Sequence, residues 1–146
     1  GQIDGVYEGQ PVISDKGIVG QINYVGAHNS RVLLLTDPNN SIPVQVVRND
    51  IRVIASGKGH LDTMQLEHIP TNTDVEVGDL LVSSGLGGRY PEGYPVGYIS
   101  NIDNDNKRPF ASIDLETTVE FDKLRYLLLV WPTEAEVNVE ETANGQ

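Results

Sequence analysis

The sequence predicts an all-β protein made of two small β-barrels of related topology, packed side by side. Three observations predict this fold class: short segments alternate between apolar and polar residues, turn signals separate these segments at intervals of about 8–12 residues, and one half of the chain resembles the other. Closely spaced short strands are typical of small barrels and sandwiches. A helix is predicted only at residues 117–124, over about two turns.

The first of these observations locates the strands. Ile42, Val44 and Val46 recur with a period of two, which indicates a half-buried strand. Two denser apolar segments, residues 32–35 and 127–131, are predicted to be strands buried on both faces. The turn signals are rich in Asp, Asn, Gly and Pro, and they lie at residues 15–17, 37–40, 48–50, 56–59 and 103–106.

The internal repeat is the second guide to the fold. Residues 5–14 match residues 74–83, and residues 17–22 match residues 94–99. The second copy carries about eight extra residues, essentially 85–92. The glycines that recur in the repeat or follow its insertion are predicted to be structural, because they hold positions that need bare backbone; they are Gly9, Gly20, Gly78, Gly93 and Gly97.

The repeat also predicts how the chain is divided. We expect a first barrel at residues 1–72, a second barrel at residues 73–132, and an acidic flexible tail at residues 133–146. Each barrel alone is marginal in size, because a domain of about 60 residues buries only about 60% of the surface of its unfolded chain. We therefore expect the two barrels to pack against each other or against a partner.

Composition excludes several classes of function. Of 146 residues, 10 are Lys or Arg and 21 are Asp or Glu, which gives a net charge of −11. Binding to nucleic acid or to an anionic membrane surface depends on clustered Lys and Arg, so neither is expected. The chain has no cysteine, which excludes disulfides, thiolate metal sites and cysteine nucleophiles. Its longest apolar run has five residues, against about 18 for a membrane helix.

Candidate catalytic and metal sites are weak. His28, Asp37 and Ser84 occur in the order of a serine protease triad, but no Gly-Asp-Ser-Gly-Gly stretch surrounds the serine. His60 and His68 are eight residues apart, wider than the usual spacing of a zinc pair. The Asp- and Asn-rich segment 103–106 begins like a calcium loop but lacks the glycine of the tight turn. We expect no catalytic residue, metal or cofactor.

The inserted loop is the best candidate for contact with a partner. Its glycines, at residues 85–88, allow a sharp turn, and no helix pattern follows that would make it a nucleotide-binding loop. Arg89, Tyr90 and Tyr94 lie in or beside this loop. Tyrosine and arginine are common anchors of protein interfaces, so these three residues are the predicted partner-binding residues.

Several stretches of the chain together resemble the MreC family of bacterial rod shape-determining proteins. The most specific is residues 78–97, GDLLVSSGLGGRYPEGYPVG, and the others are residues 5–12, 17–20, 34–37 and 121–129. The resemblance implies two periplasmic β-barrels, in the two-barrel layout of chymotrypsin-like proteases but without a catalytic triad. It also implies that the chain is a piece of a longer protein, anchored to the inner membrane by an N-terminal helix that this sequence lacks.

The resemblance further implies a function. It predicts a non-catalytic scaffold of the cell-elongation machinery, which maintains rod shape by associating with itself and by binding and activating the class B penicillin-binding transpeptidase of elongation. MreD, MreB and RodZ are the further partners that it implies. The alternative is a module that binds peptidoglycan or another carbohydrate, although aromatic residues are only 6% of the chain and Trp131 is the single tryptophan.

Overall fold

The computed structural model describes residues 6–105 and 107–123, and these residues form antiparallel β-structure. Their strands are β1 (Pro11–Ser14), β2 (Gly17–Val25), β3 (Ser30–Leu34), β4 (Ser41–Val46), β5 (Arg52–Gly57), β6 (Thr63–Pro70), β7 (Leu80–Ser83), β8 (Pro95–Asp103) and β9 (Phe110–Thr117). In this part of the chain no helix has the length and apolar character needed to cross a membrane. The predicted strand at residues 127–131, Trp131 and the acidic tail lie outside the described residues.

The strands form one sheet and one closed barrel. Strands β1, β2 and β3 make a three-stranded sheet in chain order, and the barrel closes in the order β4-β5-β6-β9-β8-β7. The all-β prediction is therefore confirmed. The predicted boundary between residues 72 and 73 is wrong for these strands, because it falls between β6 and β7 of the same barrel. Strands β4–β6 and strands β7–β9 would each form a three-stranded sheet with two open edges. Pairing β4 with β7 and β6 with β9 removes all four edges and closes the barrel.

The internal repeat is confirmed by the strand register. Val12 lies opposite Gly20 in the sheet, and Leu81 lies opposite Gly97 in the barrel, with a bulge directly after each pair. The hydrogen bonds repeat as well: the N–H of Gly9 donates to the Ile22 carbonyl at 2.7 Å, and the N–H of Gly78 donates to the Ile99 carbonyl at 2.8 Å. Strands β1–β3 thus have the same local structure as β7–β9.

One continuous apolar core fills the barrel and extends to the sheet. The inward residues of β4 alternate as predicted, with Ile42, Val44 and Val46 fully buried. Ile18 of the sheet joins the same buried cluster. Phe121, 1% exposed, joins it from the segment after β9, where helical residues begin at 121 and not at 117 as predicted, because residue 117 still belongs to β9.

Backbone contacts connect the sheet to the barrel. The N–H of Gly59, just after β5 of the barrel, donates to the carbonyl of Thr36, in the segment that follows β3 of the sheet, at 2.9 Å. Gly17 approaches the Pro95 carbonyl so closely that any side chain at this position would collide with it. The start of β2 therefore lies directly on the start of β8.

Candidate partner-binding site

The predicted partner-binding residues lie in the loop between β7 and β8, residues 84–94, which we call the glycine loop. Ser83, fully buried at the end of β7, holds both ends of it. Its N–H donates to the Tyr94 carbonyl and its carbonyl accepts from the Gly93 N–H, both at 2.8 Å. Its hydroxyl donates to the Pro91 carbonyl and accepts from the Tyr94 N–H. The loop therefore starts and ends on one buried serine.

The tip of the glycine loop turns as the sequence predicts. Gly85, Gly87 and Gly88 have φ between +75° and +79°, the left-handed region that only glycine enters readily. A single turn of 3-10 helix, Leu86–Gly88, forms there. The Leu86 side chain is 59% exposed, so the tip presents an apolar group to solvent.

Arg89 and Tyr90 face in different directions. The Arg89 side chain is exposed, and its guanidinium donates a 2.6 Å hydrogen bond to Gln21 Oε1 of β2. Tyr90 is only 3% exposed, and its hydroxyl donates to Asn40 Oδ1 at 3.1 Å. Gln21 Nε2 donates to the same Asn40 oxygen at 2.9 Å. We call these four residues the junction network, because they join the glycine loop to the sheet and to the segment between β3 and β4.

The junction network is buried apart from Arg89. Gln21 is 7% exposed and Asn40 1%, and Asn40 Nδ2 donates to the Leu35 carbonyl at 3.2 Å. Burial raises the pKa of the Tyr90 phenol, which therefore remains a neutral donor at physiological pH. Buried polar groups that are fully hydrogen-bonded favour one arrangement of the elements that carry them. The network therefore fixes the loop relative to the sheet.

This arrangement corrects one of the three predicted residues. Tyr90 packs in the core of its own chain, so the prediction that it contacts a partner is wrong for this structure. The neighbouring glycines and Pro91 gave the stretch the character of an exposed loop, whereas the tyrosine ring turns inward. Tyr94, 40% exposed, and Arg89 remain accessible to a partner.

The predicted structural glycines fall into two groups. A Cβ on Gly97 would lie 2.7 Å from the Glu116 carbonyl oxygen, and a Cβ on Gly20 would collide with the Leu33 carbonyl oxygen. The other group has open space at the Cβ position but a positive φ, between +86° and +96°; it comprises Gly9, Gly78 and Gly93. Two physical reasons, close approach and left-handed backbone, thus underlie the five predicted positions.

A cluster of charged residues lies at the start of β7. Arg48, in the turn after β4, forms two 3.0 Å hydrogen bonds to the Asp79 carboxylate and a 3.2 Å ion pair with Asp74. Asp79 is 8% exposed. The hydrogen bonds from Arg48 lower the pKa of both carboxyl groups. The cluster ties the segment before β7 to the β4–β5 turn.

The three residues that occur in the order of a protease triad lie in local turns. Ser84 Oγ accepts a hydrogen bond from the Leu86 N–H at 3.2 Å, and the Asp37 carboxylate accepts one from the Asn39 N–H at 2.8 Å. His28 is exposed in the β2–β3 turn. Within residues 6–105 and 107–123, no three His, Cys, Asp or Glu side chains are placed to hold a metal ion.

A known protein family and two of its members match most of this sequence. The family model of the barrel core of the rod shape-determining protein MreC matches residues 1–131. The cell shape-determining protein MreC of Escherichia coli K12 is 57% identical over 131 residues, which cover 90% of this chain and 36% of that protein. Its Haemophilus influenzae counterpart is 52% identical over 138 residues, or 94% of this chain and 39% of that protein. The chain thus spans less than two fifths of these relatives.

Solved structures agree on the fold. The crystal structure of MreC from Pseudomonas aeruginosa superposes with a TM-score of 0.80 at 45% identity, covering 84% of this chain and 79% of that one. A complex between Penicillin-Binding Protein (PBP2) and MreC from Helicobacter pylori contains the same fold, with a TM-score of 0.60, 19% identity, and coverage of 73% of this chain and 66% of that one. The matched proteins are shape-determining proteins and not members of a known enzyme family. By the extent of the family match and the identity to its relatives, the chain belongs to the MreC family of rod shape-determining proteins.

Proposed function

We propose that this chain is a periplasmic part of a cell-shape scaffold that binds the class B penicillin-binding transpeptidase of cell elongation. One observation carries the proposal: a protein with this fold has been solved in complex with a penicillin-binding protein. Family membership supports the role in cell shape. The net charge of −11 and the absence of cysteine are compatible with a surface that binds protein and performs no thiol chemistry.

The glycine loop offers a suitable contact surface. Leu86 and Tyr94 are exposed on it, whereas Ser83 and the junction network hold the loop from below. A loop already fixed in one conformation loses little conformational entropy on binding, which favours affinity. Exposed tyrosine adds a large contact area with few rotatable bonds. We therefore place the transpeptidase contact on this loop.

The mechanism we propose is conformational. A scaffold that binds one arrangement of the enzyme more tightly than another shifts the enzyme toward it, by no more than the difference in affinity. Self-association of the scaffold would then position several enzymes along the membrane. A related solved structure, with a TM-score of 0.65, is described as the major periplasmic domain of a filament. The membrane helix and the partners MreD, MreB and RodZ belong to this proposal for the full-length protein.

Binding to the purified transpeptidase ectodomain tests the proposal. We expect Tyr94→Ala to weaken the affinity of the fragment at least about fivefold, the effect of losing an interface anchor worth about 1 kcal/mol or more. Tyr24→Ala is the matched control, because Tyr24 is 45% exposed on β2, outside the glycine loop. Arg89→Ala is tested in parallel, with its thermal stability measured because Arg89 also bonds Gln21.

The binding results test the proposed partner and the proposed contact surface separately. Binding that Tyr94→Ala and Tyr24→Ala weaken equally would retain the partner but exclude the glycine loop as its contact. No detectable binding by a folded fragment would contradict the proposed partner for this part of the protein. Growth of mass with concentration, measured by light scattering, tests self-association separately.

A further inference from the structure

A groove of about 680 Å³ runs along the outside of the barrel, where the sheet approaches it. Its floor includes Leu80 of β7 and Pro95 and Tyr98 of β8. The turn between β1 and β2 lines one side, and the segment that follows β9 lines another. Neither Arg89 nor Tyr94 lines it, so this surface is separate from the contact proposed above.

The floor of the groove continues an exposed apolar row across the barrel. Leu80 and Tyr98 are paired across β7 and β8, and the N–H of Val47 donates to the Leu80 carbonyl at 3.0 Å, which places Val47 next in the row. Tyr98 is 48% exposed and Val47 52%, while Leu81, the next residue along β7, is fully buried in the core. Exposed apolar residues that lie next to one another are typical of a contact surface, in contrast to apolar residues scattered singly over a protein.

The sides of the groove are acidic. Five carboxylates, among them Asp15, Glu116 and Asp122, and two lysines line it, so its formal charge is −3. One of the lysines, Lys123, is already paired with Glu120 at 3.1 Å. Asp15 belongs to the turn between β1 and β2, and Glu116 lies directly opposite Tyr98 across β8 and β9, so negative charge borders the apolar residues of the groove.

We infer that the groove binds an extended, cationic segment of another polypeptide, in which apolar and basic residues alternate. In an extended chain successive side chains point to opposite sides. An apolar residue of the ligand then packs on Leu80 and Tyr98, and the long side chains of its Lys or Arg neighbours bend back along the apolar surface to the carboxylates of Asp15 and Glu116. An arginine can also stack on the exposed ring of Tyr98. This ligand chemistry matches the apolar floor and the negative sides at once.

An NMR titration of the isotope-labelled chain tests the inference. The probe is a capped seven-residue peptide of alternating lysine and valine, and the control peptide has glutamate in place of each lysine. We expect the lysine peptide to shift the amide signals of Leu80, Tyr98 and Glu116 in a saturable manner, and the glutamate peptide to shift none of them. Tyr98→Thr, which keeps a residue suited to a strand, is expected to weaken binding at least fivefold.

A matched pair of charge variants separates the groove from general attraction to an acidic protein. Asp15→Asn with Glu116→Gln removes two charges from the groove, and Glu8→Gln with Glu92→Gln removes two from exposed positions that do not line it. We expect at least a fivefold loss of affinity for the first pair and less than twofold for the second. Equal losses, shifts spread over the whole surface, or no shift at the groove would each overturn the inference. Thermal unfolding of every variant checks that it is folded.

Discussion

At the scale of single residues, Gly93 and Gly97 show that two glycines close together in sequence meet different physical demands. Gly97 faces the Glu116 carbonyl of the neighbouring strand, a backbone atom that cannot move aside. Gly93 has φ of +92° and free space around it. Asparagine can replace glycine at position 93, because it tolerates the left-handed backbone region. It cannot do so at position 97, because its Cβ would collide with the Glu116 carbonyl.

We therefore expect asparagine to separate the two positions. Gly97→Ala should lower the free energy of unfolding by about 1–3 kcal/mol, the usual cost of forcing atoms into a packed site, and Gly97→Asn should be no better. Gly93→Val should cost about 1–2 kcal/mol, and Gly93→Asn should recover most of that loss. Urea unfolding of the four variants gives the values. Equal effects of asparagine at both positions would contradict the distinction.

Tyr90 provides a second prediction at this scale. Because its ring is buried and its hydroxyl bonds Asn40, Tyr90→Phe should cost about 1 kcal/mol, and Tyr90→Ala about 3–5 kcal/mol, as for other large buried aromatic residues. Tyr94→Phe is the matched control on an exposed ring, and it should change stability by less than about 0.5 kcal/mol. Thermal and urea unfolding measure all three. A harmless Tyr90→Ala would mean that the ring is not part of the core.

At the scale of elements, the Arg48 cluster predicts how stability depends on pH. Hydrogen bonds from Arg48 lower the pKa of Asp79 and Asp74 below their ordinary value of 3.8 in the folded state. A lowered pKa means that the folded state favours the ionised carboxylates. The stabilisation is therefore fully present above pH 4 or so and is lost as the pH falls below it.

Replacing Arg48 should remove this pH dependence. Arg48→Gln is expected to lower the melting temperature clearly at pH 7 and progressively less from pH 4 to pH 2, where the carboxylates become protonated in both variants. Arg52→Gln, which removes the same charge from an exposed position on β5, is the control. Melting curves across this pH range provide the test. A deficit for Arg48→Gln that stays constant with pH would show that the arginine acts through packing and not through its ion pairs.

The elements also show which parts of the fold could be predicted from sequence. The hairpins were predictable, because alternation and turn residues are local signals, and the repeat between residues 5–22 and 74–99 shows the same local pattern twice. The closure of one barrel was not, because the pairing of Val44 with Ser83 joins residues distant in the chain, and no local pattern records it. The repeat itself suggested two equivalent barrels. In the structure β4–β6 close a barrel with β7–β9, the second copy of the repeat, whereas β1–β3, the first copy, form a separate sheet.

At the scale of the whole molecule, the candidate site depends on contacts between elements, and this is why only part of it was predictable. The glycine loop was identified from its composition, and Tyr94, which is exposed in the structure, was identified as part of it. Gln21 was missed although a polar residue inside the apolar stretch of β2 was a usable signal. Asn40 was missed because it ends a turn rich in Asp and Asn, and such residues are usually exposed. Its burial follows only from the packing of the sheet on the barrel.

Gln21 therefore provides the prediction that concerns the molecule as a whole. Gln21→Leu keeps the size of the side chain but removes its hydrogen bonds to Asn40 and Arg89, so we expect a loss of about 1–3 kcal/mol. The loss should appear first in hydrogen exchange of β1–β3, which the junction network holds, while β6 and β9 of the closed barrel keep their protection.

Gln45→Leu on β4 is the control: Gln45 Oε1 is buried without a partner among the described residues, so its removal should be neutral or stabilising. Equal loss of protection in sheet and barrel would mean that the two unfold as one unit, and that the network stabilises the whole molecule without controlling how the sheet sits on the barrel.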